Sequence, residues 1–244
     1  MDYTKFKYYT YTELKTIASD MGLKIRRSKD CLMGDIIEGL KEYEQYKKDK
    51  LDKYTRVKQL GESGKEGTTY LVTNDSGDEY AMKTFRKQKS SATLRKEADL
   101  QKMAADEGIS PNIVDIDTVS KYIVMEKMDK HLLKLMTKQQ GDLKKSQQKQ
   151  IICIFKKLDK AKVFHGDSNI LNYMFKGKKM YIIDFGMAKE INTGLIKKLG
   201  TTTPNIDIMT LGLVIKLKEL GCPPTSYKYL TPHLSEEQLT RFNL

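Results

Sequence analysis

The chain has no tryptophan and only three cysteines and five prolines in its 244 residues. Cys31, Cys153 and Cys222 are far apart and form no CxxC pair, which argues against a disulfide framework or a zinc site and fits a reducing intracellular compartment, cytoplasm or nucleus. No stretch approaches the roughly 20 apolar residues needed to cross a bilayer. The first residues lack the apolar core of a secretory signal, so we expect neither secretion nor membrane association.

Charged residues are abundant, at 31% of the chain, and the formal net charge is +12. A basic balance favours polyanionic partners such as nucleic acid, acidic proteins or nucleotide phosphates. Charge alone does not show whether the chain binds such partners or simply has a solvated basic surface. The function therefore has to be inferred from the pattern of residues.

Residues 1–50 are predicted to form a helical hairpin. Thr10 with Glu13 makes a capping-box pattern, Gly22 ends the first helix, and Ser28 can cap the second. The apolar residues at helical spacing are Leu14, Ile17, Ala18, Met21, Leu32, Ile36, Ile37 and Leu40. The charged stretch 46–53 is either a linker or an extension of the second helix.

From Tyr54 the pattern changes to short strands, and later to helices. Strands are predicted at 54–60, 69–73, 80–85, 113–119 and 122–128, with a helix from about 94 to 103 between the third and fourth. The remainder is mostly helical, apart from strand-like segments at 173–175 and 180–183. This order, strands plus one helix followed by helices, predicts an α+β fold.

A glycine-rich turn joins the first two predicted strands and contains Gly61, Gly64 and Gly67. Such glycines allow backbone N–H groups to approach phosphate oxygens. The turn is not a Walker loop, because Glu66 stands where that loop needs serine or threonine after lysine. An ordinary glycine-rich hairpin would give the same pattern.

Lys83 lies in the apolar strand that follows, and a buried lysine needs a negatively charged partner. Glu97 on the next helix is the obvious carboxylate, with a phosphate group as a further partner. The alternative is a lysine on the exposed face of an edge strand.

Three more polar residues follow at a distinctive spacing in the segments His165-Gly166-Asp167 to Asn172 and Asp184-Phe185-Gly186. Asp184 and Asn172 offer the hard oxygen ligands that Mg²⁺ prefers. Asp167 can orient an acceptor hydroxyl and take its proton. Phosphoryl transfer depends on charge neutralisation and positioning, which this set of residue types supplies.

The order of these motifs over residues 54–220 resembles the protein kinases. The resemblance implies an N-lobe at 54–128, a C-lobe at 129–244, ATP and Mg²⁺ as cofactors, and Ser/Thr hydroxyls of a protein as acceptors. It assigns adenine contacts to the backbones of Glu126 and Met128, with Met125 as gatekeeper. It also implies that Asp207 anchors the catalytic loop.

The chain departs from the usual kinase pattern around its catalytic loop. The loop reads HGD, and Asn169 stands where most Ser/Thr kinases have a lysine. Only 20 residues separate Gly186 from Asp207, without an Ala-Pro-Glu motif, so we expect a reduced platform for peptide docking. These features are similar to the RIO and KEOPS-complex kinases, and stripped-down kinases also occur in large DNA viruses, where the host cell or virion would be the location.

The N-terminal hairpin resembles a SAP motif, a helical hairpin that binds DNA, with Gly22-Leu23 at its turn. The resemblance places phosphate contacts at Lys24, Arg26, Arg27 and Lys29. A helical extension with a structural or protein-docking role is the alternative.

Three functions remain open from the sequence. An active ATP-dependent protein kinase is favoured by the intact motifs. A pseudokinase scaffold is suggested by Asn169 and the short C-lobe. A small-molecule kinase is the third, because several such enzymes share the HxDxxxxN pattern and a metal-binding aspartate.

Overall fold

A computed structural model describes residues 2–64 and 66–244, with the side chains of residues 46–52 left undescribed. The chain divides into two compact units, Met1–Thr55 and Arg56–Leu244. In the described part of the chain, no helix combines the length and apolarity that crossing a bilayer requires.

The first unit is the predicted helical hairpin. A short 3₁₀ helix (Tyr3–Tyr8) precedes α1 (Tyr11–Asp20) and α2 (Lys29–Asp52). The capping box is confirmed, because the Thr10 N–H donates to Glu13 Oε2 at 2.6 Å and the Glu13 N–H donates to Thr10 Oγ1 at 3.3 Å. Gly22 ends α1 in a left-handed conformation, with φ of +70°.

Four fully buried apolar residues hold the two helices together. They are Leu14, Ala18, Leu32 and Ile36. Their spacing of four residues in each helix puts them on one face, as the sequence pattern predicts. The charged stretch after Tyr46 is a helix extension, since α2 continues to Asp52.

The second unit begins with an antiparallel sheet of five strands in the order β1-β2-β3-β5-β4. The strands are β1 (Thr55–Gln59), β2 (Gly67–Thr73), β3 (Glu79–Phe85), β4 (Ile113–Asp117) and β5 (Tyr122–Glu126). Helix α3 (Ser91–Asp106) follows β3. β4 ends two residues before the predicted boundary because the Asp117 carboxylate accepts the N–H groups of Val119 and Ser120 and forms a turn.

The rest of this unit is mainly helical. Its helices are α4 (Leu132–Lys138), α5 (Lys145–Lys160), α6 (Thr193–Leu199), α7 (Thr210–Glu219) and α8 (Glu236–Phe242). Its short strands are β6 (Lys130–His131), β7 (Val163–Phe164), β8 (Tyr173–Lys176), β9 (Lys179–Ile182) and β10 (Lys189–Glu190). A large apolar core that includes Phe155, Tyr173 and Leu213 joins these elements. The predicted α+β class is therefore confirmed.

Candidate active site

Lys83 and Glu97 form a buried ion pair between β3 and α3. The Lys83 Nζ donates to Glu97 Oε1 at 2.8 Å and to Asp184 Oδ1 at 2.7 Å. The side chains of Lys83 and Glu97 are 14% and 3% exposed, so neither charge is left to bulk water. Burying these charges is costly, and their mutual contacts offset that cost. The sequence-predicted pair is thus brought together, and Asp184 joins it.

The ionisation of this cluster follows from the same contacts. Burial alone would lower the pKa of Lys83, but the carboxylates of Glu97 and Asp184 outweigh it and the pKa is raised. Burial would raise the pKa of Asp184, but Lys83 and the Gly186 N–H outweigh it and the pKa is lowered. The ammonium and the carboxylate therefore stay charged at neutral pH.

A second lysine and a second glutamate complete the cluster, and the sequence patterns did not single them out. Lys89, just before α3, contacts Glu97 and also donates to Glu66 Oε2 at 2.9 Å. Glu66 belongs to the glycine-rich turn, and its carboxylate lies 3.8 Å from the Lys83 Nζ. A Cβ at Gly186 would lie 2.5 Å from Glu66 Oε2. Glu66 therefore occupies the space beside both lysines.

Asp184 has a backbone conformation that residues other than glycine rarely adopt, with φ of +68°. Such strain is retained where the surroundings enforce it, commonly at functional sites. Here Phe185 is buried in the core and packs edge-on against His165, with ring centroids 5.0 Å apart. This anchoring turns the Asp184 carboxylate towards Lys83.

His165 holds the loop that follows β7 against the segment before Asp184. Its Nδ1 lies 3.1 Å from the Asp167 carbonyl oxygen and its Nε2 lies 3.0 Å from that of Ile183. The next residue, Gly166, has φ of +78°, and a Cβ there would lie 3.0 Å from the Met187 carbonyl oxygen. Glycine in the HGD sequence is thus required by the local backbone.

Asp167 and Asn172 are joined directly. The Asn172 amide nitrogen donates to Asp167 Oδ2 at 2.9 Å. The Ile183 N–H donates to the Asn172 carbonyl oxygen at 2.9 Å, which holds Asn172, just before β8, beside the residue that precedes Asp184. Asp167 is thus bonded to Asn172, and Asn172 is bonded through its carbonyl to the backbone of Ile183, the neighbour of Asp184.

The residue that anchors this loop is Asn205, which is a correction to the role expected for Asp207. The Asn205 side chain accepts from the His165 N–H at 3.0 Å and donates to the Val163 carbonyl at 2.8 Å. Asp159 of α5 in turn accepts from the Asn205 side chain at 2.7 Å. Asp207 instead accepts from threonines 201 and 203. Asn205 is fully buried and bonds directly to the backbone before the loop, whereas the Asp207 side chain does not.

The three predicted glycines of the turn have different structural roles. Gly61 takes a left-handed conformation with φ of +73°. The Gly64 N–H donates to the Gly67 carbonyl at 2.9 Å, which closes the turn. Gly67 lies in β2, where a Cβ would come 1.9 Å from the Thr84 carbonyl oxygen. At Gly67 close strand packing therefore demands glycine.

Two neighbouring clefts meet at Lys83 and Asp184. One is lined by apolar residues of both lobes together with the predicted adenine-binding positions Glu126 and Met128. Its other apolar residues include Ala81, Met125, Met174 and Ile183. The second cleft is polar and is lined by the glycine-rich turn, Asp167 and Gly186. An apolar slot opening onto a charged cleft suits a ligand with a flat ring and a polyanionic tail.

The donor set beside the second cleft fits a hard divalent cation. The Asp167 carboxylate can only accept hydrogen bonds, so the Asn172 nitrogen must face it and the Asn172 amide oxygen is left for another partner. The Asp184 side chain is half exposed, and its second oxygen has no bond to Lys83. Glu66, Glu97 and Asp184 also lie close together. Lys83 and Lys89 offset two of the three negative charges of that group, and Asn172 and Asp184 are the predicted residues whose free oxygens could hold a cation.

The basic residues predicted to contact nucleic acid all lie at the surface of the first unit. They are Lys24, Arg26, Arg27 and Lys29. Arg26 pairs with Asp35 of α2 at 2.8 Å, and the Lys29 ammonium donates to the Lys7 carbonyl oxygen at 3.4 Å. The connection between α1 and α2 thus carries an exposed basic surface.

Comparison with known proteins agrees with the geometry. The family model described as the protein kinase domain matches residues 54–208, more than half of the chain. No curated protein matches the sequence.

Proposed function

The chain belongs to the protein kinase family, and from this premise we propose that it transfers the γ-phosphoryl group of ATP to serine or threonine hydroxyls of a protein, with Mg²⁺ as cofactor. The observation that carries the proposal is that Lys83, Asp167 and Asp184 line one polar cleft. Glu97 bonds to Lys83 behind it, and Asn172 bonds to Asp167. Serine and threonine are the proposed acceptors because the sequence has no tyrosine-kinase signature.

Each of these residues has a distinct task in the proposed reaction. Lys83, held by Glu97, binds the α- and β-phosphates, and the turn containing Gly61, Gly64 and Gly67 covers the triphosphate. Asn172 and Asp184 would hold Mg²⁺, which when bound neutralises charge on the phosphate oxygens.

The acceptor side depends on Asp167. Its carboxylate orients the attacking hydroxyl and takes its proton as the bond to phosphorus forms. The Asn172 amide, bonded to the same carboxylate, fixes the direction of that group.

The adenine would lie in the apolar cleft next to the polar one. Met125 closes its inner end, and the backbones of Glu126 and Met128 would bond the base edge. Ala81, opposite Met125 in the sheet, leaves room for a flat ring.

The rival functions predict different behaviour of the same residues. A scaffold would not need Asp167 and Asp184, whereas these two are held in place by buried His165 and Phe185. A small-molecule kinase would accept sugars, choline or aminoglycosides in place of protein. The glycine-rich turn and the DFG triplet favour a protein acceptor.

The test is transfer of labelled γ-phosphate from ATP to casein, histone and the chain itself, beside a panel of small alcohols and amines. We expect labelled phosphoserine or phosphothreonine with the wild type. We expect at least a ~10³-fold loss for Asp167→Ala and Asp184→Ala, with Asp75→Ala, a change in an exposed turn, as control. Undiminished transfer by both variants would refute the assignment. Label only on small molecules would favour the third function.

For the first unit we propose non-specific DNA contact through the connection between α1 and α2, which would hold the kinase near DNA-bound substrates. Duplex affinity should then fall with salt, by a slope of about 0.9 per phosphate contact. Lys24→Glu with Arg27→Glu should reduce that slope, while Lys5→Glu with Lys15→Glu, equal in charge, should change it less. Equal effects of the two pairs would contradict a local contact.

A further inference from the structure

The loop beside Asp167 brings no positive charge of its own to the site. Asn169 stands two residues after Asp167, and its side-chain oxygen accepts from the Leu171 N–H at 3.1 Å. Its backbone N–H donates to Asp167 Oδ1 at 3.1 Å. Asn169 is therefore used to cap the short 3₁₀ helix 170–172, and its neutral side chain adds no charge beside the acceptor.

Helix α7 supplies a cation at this place. The Lys216 Nζ lies 3.7 Å from Asp167 Oδ1, on the carboxylate oxygen that also accepts from Asn169. The Lys216 side chain is 42% exposed and that of Asp167 is 29% exposed. The Lys216 ammonium is thus exposed enough to contact an anion that approaches Asp167.

The packing of α7 against the loop explains how Lys216 reaches Asp167. Gly212 lies four residues before Lys216 and so on the same face of the helix. A Cβ at Gly212 would lie 2.5 Å from the Ser168 Oγ and 3.3 Å from its Cβ. Because Gly212 has no side chain, Ser168 packs directly against the backbone of α7. The adjacent Asp167 is thereby brought near Lys216, one helical turn after Gly212.

Phosphoryl transfer creates a demand for charge at this position. Negative charge is spread over the oxygens of the transferring group, and stabilising it is most of what the protein can contribute. Lys83 and Lys89 are both bonded to Glu97 on the nucleotide side of the cleft. Lys216 instead lies beside Asp167, where the proposed acceptor hydroxyl would bind.

We propose that Lys216 is a catalytic residue of the phosphotransfer, binding the γ-phosphoryl oxygens from the acceptor side in place of a lysine in the loop itself. This inference rests on the proposed function. The bond from the acceptor oxygen to the γ-phosphorus forms while the bond from that phosphorus to the β–γ bridging oxygen breaks and ADP leaves. The acceptor proton goes to Asp167, and Lys216 keeps its own proton throughout.

A purely structural role is a poor account of Lys216. Exposed ion pairs contribute little to stability, and this one is longer than the 2.7–2.8 Å contacts of Lys83. Removing the lysine should therefore affect transfer and leave the unfolding midpoint unchanged.

The experiment is steady-state transfer from labelled ATP by the full chain, with Lys216→Met, Lys216→Gln, Lys216→Arg and a control Lys149→Met, an exposed lysine of α5. We expect kcat to fall about 100-fold in the Met and Gln variants with KM for ATP nearly unchanged. Lys216→Arg should retain most of the rate, because it keeps the charge, and Lys149→Met should match the wild type.

Three results would overturn the proposal in separable ways. An active wild type with folded Met and Gln variants within about threefold of its kcat would remove Lys216 from the chemistry and leave the proposed function intact. An arginine variant as impaired as the methionine variant would show that charge is not its contribution. A wild type without any transfer would overturn the proposed function and this inference with it.

Discussion

The charged side chains on which the two proposals depend are buried in one unit of the chain and exposed in the other. In Arg56–Leu244, Lys83, Lys89 and Glu97 are almost wholly enclosed and bonded to each other. In Met1–Thr55, Lys24 and Arg27 lie at the surface around a core of four apolar residues. Burying charge is expensive, so enclosed charges indicate a specific task, whereas exposed charges cost little and indicate less. The kinase assignment therefore rests on stronger physical ground than the DNA contact.

The largest effect should come from breaking the enclosed cluster at Glu97. Glu97→Ala leaves two lysines without their shared carboxylate, and we expect a loss of about 3–5 kcal/mol in the free energy of unfolding. Denaturant unfolding measures it, with Asp99→Ala on the same helix as an exposed control. A loss below about 1 kcal/mol would mean that these buried charges contribute no more to stability than exposed ion pairs do.

The apolar core of the hairpin should be the next most sensitive feature. Leu32 is fully buried, so Leu32→Ala should cost the hairpin about 2–5 kcal/mol. Because the two units are compact separately, phosphate transfer should persist. Leu213→Ala, equally buried in α7, should reduce both stability and transfer. Loss of transfer in Leu32→Ala would contradict the expectation that the second unit functions without an intact hairpin.

The stability of the second unit should depend on pH through His165. Burial disfavours its charged form and lowers its pKa below the ordinary 6.5. Below that value the unfolded chain binds a proton that the folded chain does not, so the free energy of unfolding should fall with falling pH, by at most about 1.4 kcal/mol per unit.

Denaturant midpoints between pH 5.5 and 7.5 measure this slope. His165→Asn should reduce this slope, and the part that remains should come from His233, whose pKa partial burial and Lys156 also lower. A free energy of unfolding that rises as the pH falls would contradict a buried, uncharged His165 side chain.

The smallest effect concerns Glu66, the half-exposed member of the cluster. Its carboxylate lies beside Lys83 and Lys89, where we propose that the triphosphate binds. Glu66→Gln removes a competing negative charge, and ATP should bind about three- to fivefold more tightly, as expected for losing a partly exposed ion pair. Titration with a fluorescent ATP analogue measures it, with Glu236→Gln, an exposed glutamate of α8, as control. Weaker binding in Glu66→Gln would mean that Glu66 supports the site.

The sequence predicted those features that are local or that chemistry makes obligatory. The capping box at Thr10 depends on neighbouring residues, and Lys83 needed a carboxylate, so both were accessible from the pattern. Lys83 and Glu97 meet as predicted because each lies within a regular element, β3 and α3.

Other features depend on packing between distant segments, which no local pattern carries. Lys216 meets Asp167 only because Gly212 lets the loop lie against α7. Asn205 replaces Asp207 as the anchor because its side chain is the one turned into the interior. The burial of Asn205, which requires its amide to find partners, is visible only in the structure.

The central claim is that Lys83, Asn172 and Asp184 serve one metal-bound triphosphate, and nucleotide affinity as a function of Mg²⁺ tests it most directly. The wild type should bind ATP more tightly as Mg²⁺ is added. Asp184→Asn, which keeps the shape but loses the charge, should bind ATP with little dependence on Mg²⁺. An Asp184→Asn affinity that responds to Mg²⁺ as strongly as the wild type would contradict the account.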